Sequence, residues 1–314
     1  MRVLGLTLVL FLAVAAPAQK PAQKPSPAPA HNPGIIFWKM SPESVDLLLG
    51  SVPQPDEMRL AQLKQTFTDL QCRGANLRVQ RFDGGKNLLC TLPGTPLMAE
   101  GGTPRITLTT ILFIAHYEHS GSGQSAIENW SGALMLPFLF HALSASACHH
   151  TFLFAEVDGE SGARALFDSF TPVQRRSIQG LVALDALGLG PAQFYIEPND
   201  TASSLGWWRL YRPFLQATVD QRLPSPMQGI PGGWYKTDVT REFRYSNIPS
   251  MLIHSVGFGT RELPGSERDT STAIDRDTYD KTILLLSDYA AELDRMSSSP
   301  PASAPAAPSR GRHP

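Results

Sequence analysis

The sequence has no excess of charge of either sign. Its 27 lysines and arginines stand against 28 aspartates and glutamates, which leaves a formal net charge of -1 over 314 residues. Proteins that bind nucleic acids need clustered positive charge to neutralise phosphates, and no basic stripe is visible here. We therefore expect no nucleic-acid partner.

Cysteine is scarce, with three residues in the whole chain: Cys72, Cys90 and Cys148. Their spacing does not match a cysteine zinc site. Cys72 and Cys90 flank a predicted hairpin, so a disulfide between them and two unpaired, half-buried thiols both remain open. Because the number is odd, at least one cysteine stays unpaired within the chain.

The apolar run at the N-terminus is short for a membrane span. It covers 3–14, follows Arg2, and is followed by the small residues Ala16-Pro17-Ala18. This layout is typical of a secretory signal peptide, whereas a membrane helix needs about 20 apolar residues. The sequence predicts a cleaved signal peptide over 1–18, a secreted or periplasmic location, and no membrane attachment after cleavage.

Both ends of the mature chain lack the large apolar residues that a packed core requires. Residues 19–33 are rich in proline and alanine, and residues 297–314 are rich in proline, serine and alanine. Such segments bury too little apolar surface to offset the entropy of ordering. We interpret 19–33 as a linker, 297–314 as a disordered tail, and 34–296 as one α/β domain.

Between these ends, strand-like segments alternate with helix-like segments. Runs that are apolar on both faces, at 106–115, 149–156 and 178–188, are typical of central strands in a covered sheet. A helix that is apolar all round is predicted at 131–145, and a strongly periodic one closes the domain at 275–296. The prediction is an α/β, three-layer domain with a mostly parallel central sheet covered by helices on both faces.

Polar side chains follow each of the three predicted central strands. His116 and Glu118 follow the first, Glu156 and Asp158 end the second, and Asp185 ends the third. In parallel α/β sheets, ligands bind at the carboxyl ends of the strands. We therefore expect these side chains to meet at one edge of the sheet and to form the functional site.

The order of motifs from 75 to 293 resembles that of the secreted co-catalytic zinc aminopeptidases, a superfamily that also contains glutamate carboxypeptidase, glutaminyl cyclase and the non-catalytic transferrin receptor. The family pattern begins with His-x-Asp, Asp-Asn-x-Ser-Gly and Glu-Glu-x-Gly-x-x-Gly-Ser. An Asp that ends a strand, a Ser-Asp-His and a late His-Ser/Thr-x-x-Asp-Thr follow. The matching stretches here are "HYE", "ENWSG", "EVDGESGA", "LVALD", "TDV" and "GSERDT".

The resemblance implies that one zinc ligand set is retained. His116 stands at the His position, Glu128 replaces the Asp that bridges the two metals, and Asp185 matches the Asp that ends a strand. Glu118 replaces the Asp that normally orients the histidine. The sequence therefore predicts one zinc site formed by His116, Glu128 and Asp185, with Glu118 behind the histidine.

In the same alignment, two ligands of the second zinc are missing. Val157 stands at the second Glu, and Gly265 stands at the last His. Neither side chain has a lone pair to offer a metal, so we expect no second zinc at the usual place. His254, His119 and Glu267 are residues that could supply a substitute ligand from elsewhere.

The general base has two candidates. Without gaps, Glu156 lies on the catalytic Glu of the family, whereas a gapped alignment puts Glu160 there. In the family, two metals together activate water and stabilise the tetrahedral intermediate, and this mechanism is not supported here.

Two functions follow from these residues. The first is an exported zinc aminopeptidase-family protein with an incomplete two-metal site, catalytically impaired or not a peptidase, which binds one metal and a peptide or small amide in its cleft. The second is an active exopeptidase or related amide hydrolase that uses one zinc and Glu156 as general base. The sequence makes no prediction of the oligomeric state.

Overall fold

The computed structural model describes residues 41–95, 109–196, 207–227 and 238–295. The predicted signal peptide (1–18), linker (19–33) and tail (297–314) lie outside these residues. They stay predictions from the sequence.

The strands in the described residues form one seven-stranded sheet in the order β1-β2-β4-β3-β5-β7-β6. Their bounds are β1 Leu77–Phe82, β2 Gly85–Leu92, β3 Thr110–His116, β4 Thr151–Val157, β5 Ile178–Leu184, β6 Gln193–Tyr195 and β7 Ser250–His254. The four central strands, β4, β3, β5 and β7, run parallel. β2 pairs antiparallel with β4 and forms an antiparallel hairpin with β1, and the edge strand β6 pairs antiparallel with β7. The predicted mostly parallel central sheet is confirmed.

Helices cover both faces of this sheet. Their bounds are α1 Pro42–Gly50, α2 Asp56–Asp69, α3 Ser131–Ser144, α4 Gly159–Ser169, α5 Pro172–Ser177, α6 Arg212–Asp220, α7 Arg241–Tyr245 and α8 Arg276–Arg295. On one face, α1, α2, α3, α6 and α8 bury a large core that includes Phe113 and Phe154. On the other face, α4 and α7 cover a smaller core around Ile114 and Val157. None of the described helices combines the length and the apolar character that crossing a bilayer requires.

Local sequence signals account for several element boundaries. Ser41 caps α1 by accepting a hydrogen bond from the Ser44 backbone, with a proline at the first helical position. Thr171 and Gln174 form a capping box at the start of α5. The short strand β6 and the short helices α5 and α7 carry too few residues for a periodic pattern, and the sequence analysis does not predict them.

Cys72, just after α2, forms a disulfide with Cys90 on β2. The alternative of two unpaired thiols is thereby excluded. Cys148 is free and buried. The disulfide attaches the end of α2 to the antiparallel side of the sheet.

Candidate functional site

The predicted site residues His116 and Asp185 lie side by side at the carboxyl edge of the sheet. His116 ends β3 and Asp185 follows β5, and these two strands are neighbours running parallel. His116 Nε2 lies 3.5 Å from Asp185 Oδ1, and both residues are buried. Within the described ranges neither atom has a hydrogen-bond partner. Two potential metal-ligand atoms therefore face each other, and neither has a hydrogen-bond partner among the described residues.

Glu118 holds the imidazole from behind. Its Oε1 lies 3.1 Å from His116 Nδ1, and its Oε2 accepts a hydrogen bond of 2.9 Å from the Gly159 backbone. Burial lowers the pKa of His116, but the charges of Glu118 and Asp185 and the contact with Glu118 outweigh burial and raise that pKa well above its ordinary value. Burial raises the pKa of Glu118, and the neighbouring His116 outweighs burial and lowers it. His116 thus lies between the carboxyl groups of Glu118 and Asp185.

A buried arginine fixes the loop that carries Glu118. Arg59 of α2 is fully buried and donates from Nη1 to the carbonyls of Tyr117 and Glu118 at 3.2 and 3.3 Å. Its guanidinium also donates to the carbonyls of Gln124 and Pro53. Sequence reasoning missed Arg59, because its partners on the loop lie 58 to 65 positions away in the chain.

Glu128, the third predicted ligand, lies near this edge but its carboxylate is engaged elsewhere. It belongs to the π-helical turn Ala126–Trp130, and its Oε2 accepts a 2.7 Å hydrogen bond from the Ser120 hydroxyl. The Ala186 backbone donates to its carbonyl at 3.3 Å, which places the turn beside the end of β5. The structure therefore brings Glu128 to the end of β5, with one of its carboxylate oxygens hydrogen-bonded to Ser120.

Asp269 holds the start of this turn in place. It is fully buried and accepts backbone hydrogen bonds from Ile127 at 2.6 Å, Glu128 at 3.3 Å and Gly265 at 2.8 Å. The position of Asp269 in the late "GSERDT" motif is the signal that could have indicated this role.

The two positions that lack ligands lie next to the site. Val157 pairs with His116 across β3 and β4, and its side chain is fully buried in the core beneath α4. Gly265 has a φ of 69°, in the left-handed region that side chains disfavour. A Cβ added to Gly121 would lie 2.2 Å from the Gly265 carbonyl oxygen, so the two loops are in close contact. The place of the missing second Glu is thus taken by a buried valine, and that of the last His by a glycine in the left-handed conformation.

Glu156 faces the opposite side of the sheet from His116. Side chains alternate across a strand, and Glu156 pairs with Ala115, one residue before His116. It shares the face of Phe154 and the core under α3, whereas His116 shares the face of Ile114. Its carboxyl group is fully buried, and neither oxygen has a hydrogen-bond partner in the part of the chain that the structure describes.

Burial raises the pKa of Glu156 well above its ordinary value, and the nearby His116 opposes this only in part. Burial therefore favours the protonated, neutral form of this group. A general base must be ionised to accept a proton.

Glu160, the alternative base, is turned toward α7. Its carboxylate accepts from the Asp238 backbone at 3.1 Å and from Arg241 Nη1 at 3.2 Å. Both carboxylate oxygens of Glu160 are thus engaged by Asp238 and Arg241.

The structure also shows where the three candidate substitute metal ligands lie. His119 Nε2 lies 2.9 Å from the Gly123 carbonyl, and Glu267 is exposed on the loop before Asp269. His254 ends β7 in the buried core, its Nδ1 accepts from the Val256 backbone at 3.1 Å, and burial lowers its pKa to about 4. His254 is neutral, as a metal-binding imidazole has to be.

The donor atoms fit part of a zinc site. Two ligands of a tetrahedral zinc ion, with bonds of about 2.0–2.2 Å, stand about 3.4 Å apart. The 3.5 Å between His116 Nε2 and Asp185 Oδ1 matches this spacing. Among the described residues, however, no group of three His, Cys, Asp or Glu side chains could hold a metal ion. His116 and Asp185 thus supply two of the four ligand positions of a mononuclear zinc site.

Solved structures with a similar fold include enzymes of two kinds. A glutaminyl cyclase from an Acidobacteriales bacterium superposes with a TM-score of 0.64 at 16% identity, over 87% of this chain and 99% of that one. The glutaminyl cyclase of Macrostomum lignano gives a TM-score of 0.62 at 18% identity, over 82% and 90% of the two chains. A zinc aminopeptidase from Bacillus subtilis gives 0.55 at 13% identity, over 68% of this chain.

This chain spans half the length of that aminopeptidase. No protein-family model and no curated protein sequence matches the chain. The similarity to known proteins therefore lies in the fold. The chain has the α/β fold shared by zinc aminopeptidases and glutaminyl cyclases, the superfamily that its motifs resemble.

Proposed function

We propose that this chain is an exported zinc aminopeptidase-like protein with an incomplete metal centre, which binds a peptide or small amide and does not hydrolyse it by a two-metal mechanism. The observation that carries the proposal is the pair Val157 and Gly265. Both lie beside the retained residues, and neither has a donor atom in its side chain. Without the second metal, a reaction that depends on two ions loses half of its electrostatic stabilisation.

One zinc ion at most is part of this proposal. His116 Nε2 and Asp185 Oδ1 are the atoms that would hold it, and Glu128, whose Oε2 accepts a hydrogen bond from Ser120, is the third candidate ligand. Such an ion, when bound, supplies a Lewis acid that polarises a carbonyl group. Glu118 keeps Nδ1 of His116 occupied, so that Nε2 is the nitrogen left for a ligand.

The alternative is an active amide hydrolase with one zinc and Glu156 as general base. The observation in its favour is that both oxygens of Glu156 lack hydrogen-bond partners within the described ranges, so that the group is available for a proton. To act as a base it must first ionise, against the burial that raises its pKa. It must also reach the face of the sheet on which His116 lies.

Turnover assays separate the two functions. Aminoacyl-nitroanilides and peptides with N-terminal glutamine are incubated with zinc-supplemented wild type, His116→Ala, Glu156→Gln and the exposed control Glu57→Gln. We expect no turnover by wild type above that of His116→Ala. Metal-dependent turnover that survives in Glu57→Gln and is lost in Glu156→Gln would contradict the proposal and establish the alternative.

Export is a separate part of the proposal. The apolar run at 3–14 supports it, and so does the disulfide between Cys72 and Cys90, because structural disulfides form and persist in oxidising compartments. Mass spectrometry of the protein expressed with its own N-terminus should give a mature chain that begins at Gln19. An intact Met1 in the purified protein would contradict cleavage.

A further inference from the structure

A cavity of about 340 Å³ lies at the edge of the sheet opposite to His116 and Asp185. It opens at the amino ends of β5 and β7, where Ile178 begins β5 and Pro249 precedes β7. Three arginines line it: Arg175, Arg176 and Arg209. We propose that this cavity binds a phosphate group, either as free inorganic phosphate or as a phosphate ester.

Arg175 is held in one position. Its guanidinium carbon lies 3.9 Å from the centre of the Phe167 ring, and its Nε donates to the Phe170 carbonyl at 3.1 Å. A guanidinium that is stacked and anchored in this way loses little further freedom when an anion binds. Arg175 therefore lines the cavity with a positive charge that is already held in position to bind an anion.

The other two arginines have guanidinium N–H groups that can donate to a ligand. Arg176 is exposed and has neither an ion pair nor a side-chain hydrogen bond in the described part of the chain. Arg209 makes one hydrogen bond, from Nη1 to the Gln179 carbonyl, at the long distance of 3.5 Å. Guanidinium groups present paired donors that match the oxygens of phosphate.

The charge of the cavity matches a dianion. No acidic residue lies among the described residues that line it. The nearest carboxylate to pair with these arginines is Asp168, 4.0 Å from Arg175 Nη2 in an exposed contact. Three positive charges and one negative charge leave a balance of two, and phosphate carries about -1.5 to -2 at neutral pH. A carboxylate, with one charge and two oxygens, would neutralise only part of the positive charge of these arginines.

The arginines are not explained by the helix alone. Arg175 and Arg176 lie in the last turn of α5, where basic side chains favour the helix dipole, but Arg209 comes from the π-helical turn Trp207–Tyr211. Ile178, Ile248 and Pro249 form an apolar wall beside the three charges. The volume exceeds what bare phosphate needs, so the cavity has room for the organic part of an ester.

Titration calorimetry at constant ionic strength tests the proposal with two probes, inorganic phosphate and phenyl phosphate. Wild type should bind both in a saturable way. Arg176→Gln and Arg209→Gln should each weaken binding about tenfold, because each removes a charge-assisted contact. Arg78→Gln, on the opposite edge strand β1, should bind as wild type does.

The outcomes separate the ligand sources and allow the proposal to fail. Tenfold tighter binding of phenyl phosphate supports an ester, and equal binding of both probes supports free phosphate. No saturable binding by wild type, or an equal loss in Arg78→Gln, would overturn the site. Since Arg176 is exposed, Arg176→Gln keeps the test valid even if Arg209→Gln does not fold.

Discussion

His116 Nε2 and Asp185 Oδ1 face each other across 3.5 Å at the ends of two adjacent parallel strands, and within the described residues neither atom has another partner. The distance suits two ligands of one zinc ion as well as it suits an ion pair. The fold therefore places two side chains that can bind zinc next to each other. In the sequence alignment, Val157 and Gly265, which have no donor atom in their side chains, stand at two further ligand positions of the superfamily that the motifs resemble.

The disulfide should contribute measurably to stability. Replacing Cys72 and Cys90 by alanine opens a loop with a sequence separation of 18, which should lower the free energy of unfolding by about 3 kcal/mol. Urea denaturation measures the loss. Titration of the denatured, unreduced wild type should find one thiol, from Cys148. Three thiols would contradict the disulfide.

Removing the Arg59 guanidinium should destabilise the loop beside the site. Arg59→Met leaves the carbonyls of Tyr117, Glu118 and Gln124 buried without this donor, which should cost about 3–4 kcal/mol of unfolding free energy. Thermal and urea unfolding check the loss, and Arg81→Gln, exposed on β1, serves as the matched control. A loss below that of the control would show that the guanidinium does not hold the loop.

Glu156 should make the metal-free protein less stable as pH rises. Its pKa is raised in the folded state, so between the ordinary value of 4.5 and the folded value the native protein binds more protons than the unfolded chain. Stability should fall through this window by up to about 1.4 kcal/mol per pH unit. In urea unfolding with a chelator present, Glu156→Gln should lack this fall, while Glu57→Gln should follow wild type. Parallel curves for Glu156→Gln and wild type would exclude a buried neutral acid.

His254, in contrast, should make the protein less stable as pH falls. Its folded pKa of about 4 lies below the ordinary 6.5, so the unfolded chain binds more protons between these values. The contribution of neutral His254 to the free energy of unfolding should be fully present above pH 6.5. It should fall by roughly 3 kcal/mol as pH drops to 4. His254→Asn, whose side-chain oxygen can still accept from Val256, should flatten this fall, and the exposed His149→Asn should keep it. The same slope in both variants would contradict the buried neutral state.

Local patterns were enough to predict the framework of the fold. The two-sided apolar runs became β3, β4 and β5, and the periodic C-terminal segment became α8. Because parallel strands bring their carboxyl ends together, the closeness of His116 and Asp185 also followed from the chain. These features depend on residues that are near in sequence or on a general rule of sheet geometry.

The orientation of Glu156 could not be predicted in this way. β4 is buried on both faces, so its apolar pattern does not indicate which residues share a face with His116. Only the register with β3 decides that Val157, and not Glu156, lies beside the histidine. The bond from Ser120 to Glu128 depends on the path of the loop between them, which no periodic pattern describes.

Zinc analysis of protein purified without chelators tests the incomplete centre most directly. Wild type, His116→Ala and Asp185→Asn are saturated with zinc, passed through a desalting column and measured by mass spectrometry of the metal. The account predicts no more than one zinc per chain in wild type, and a loss of whatever is bound in both variants. Two zinc ions per chain in wild type would contradict it.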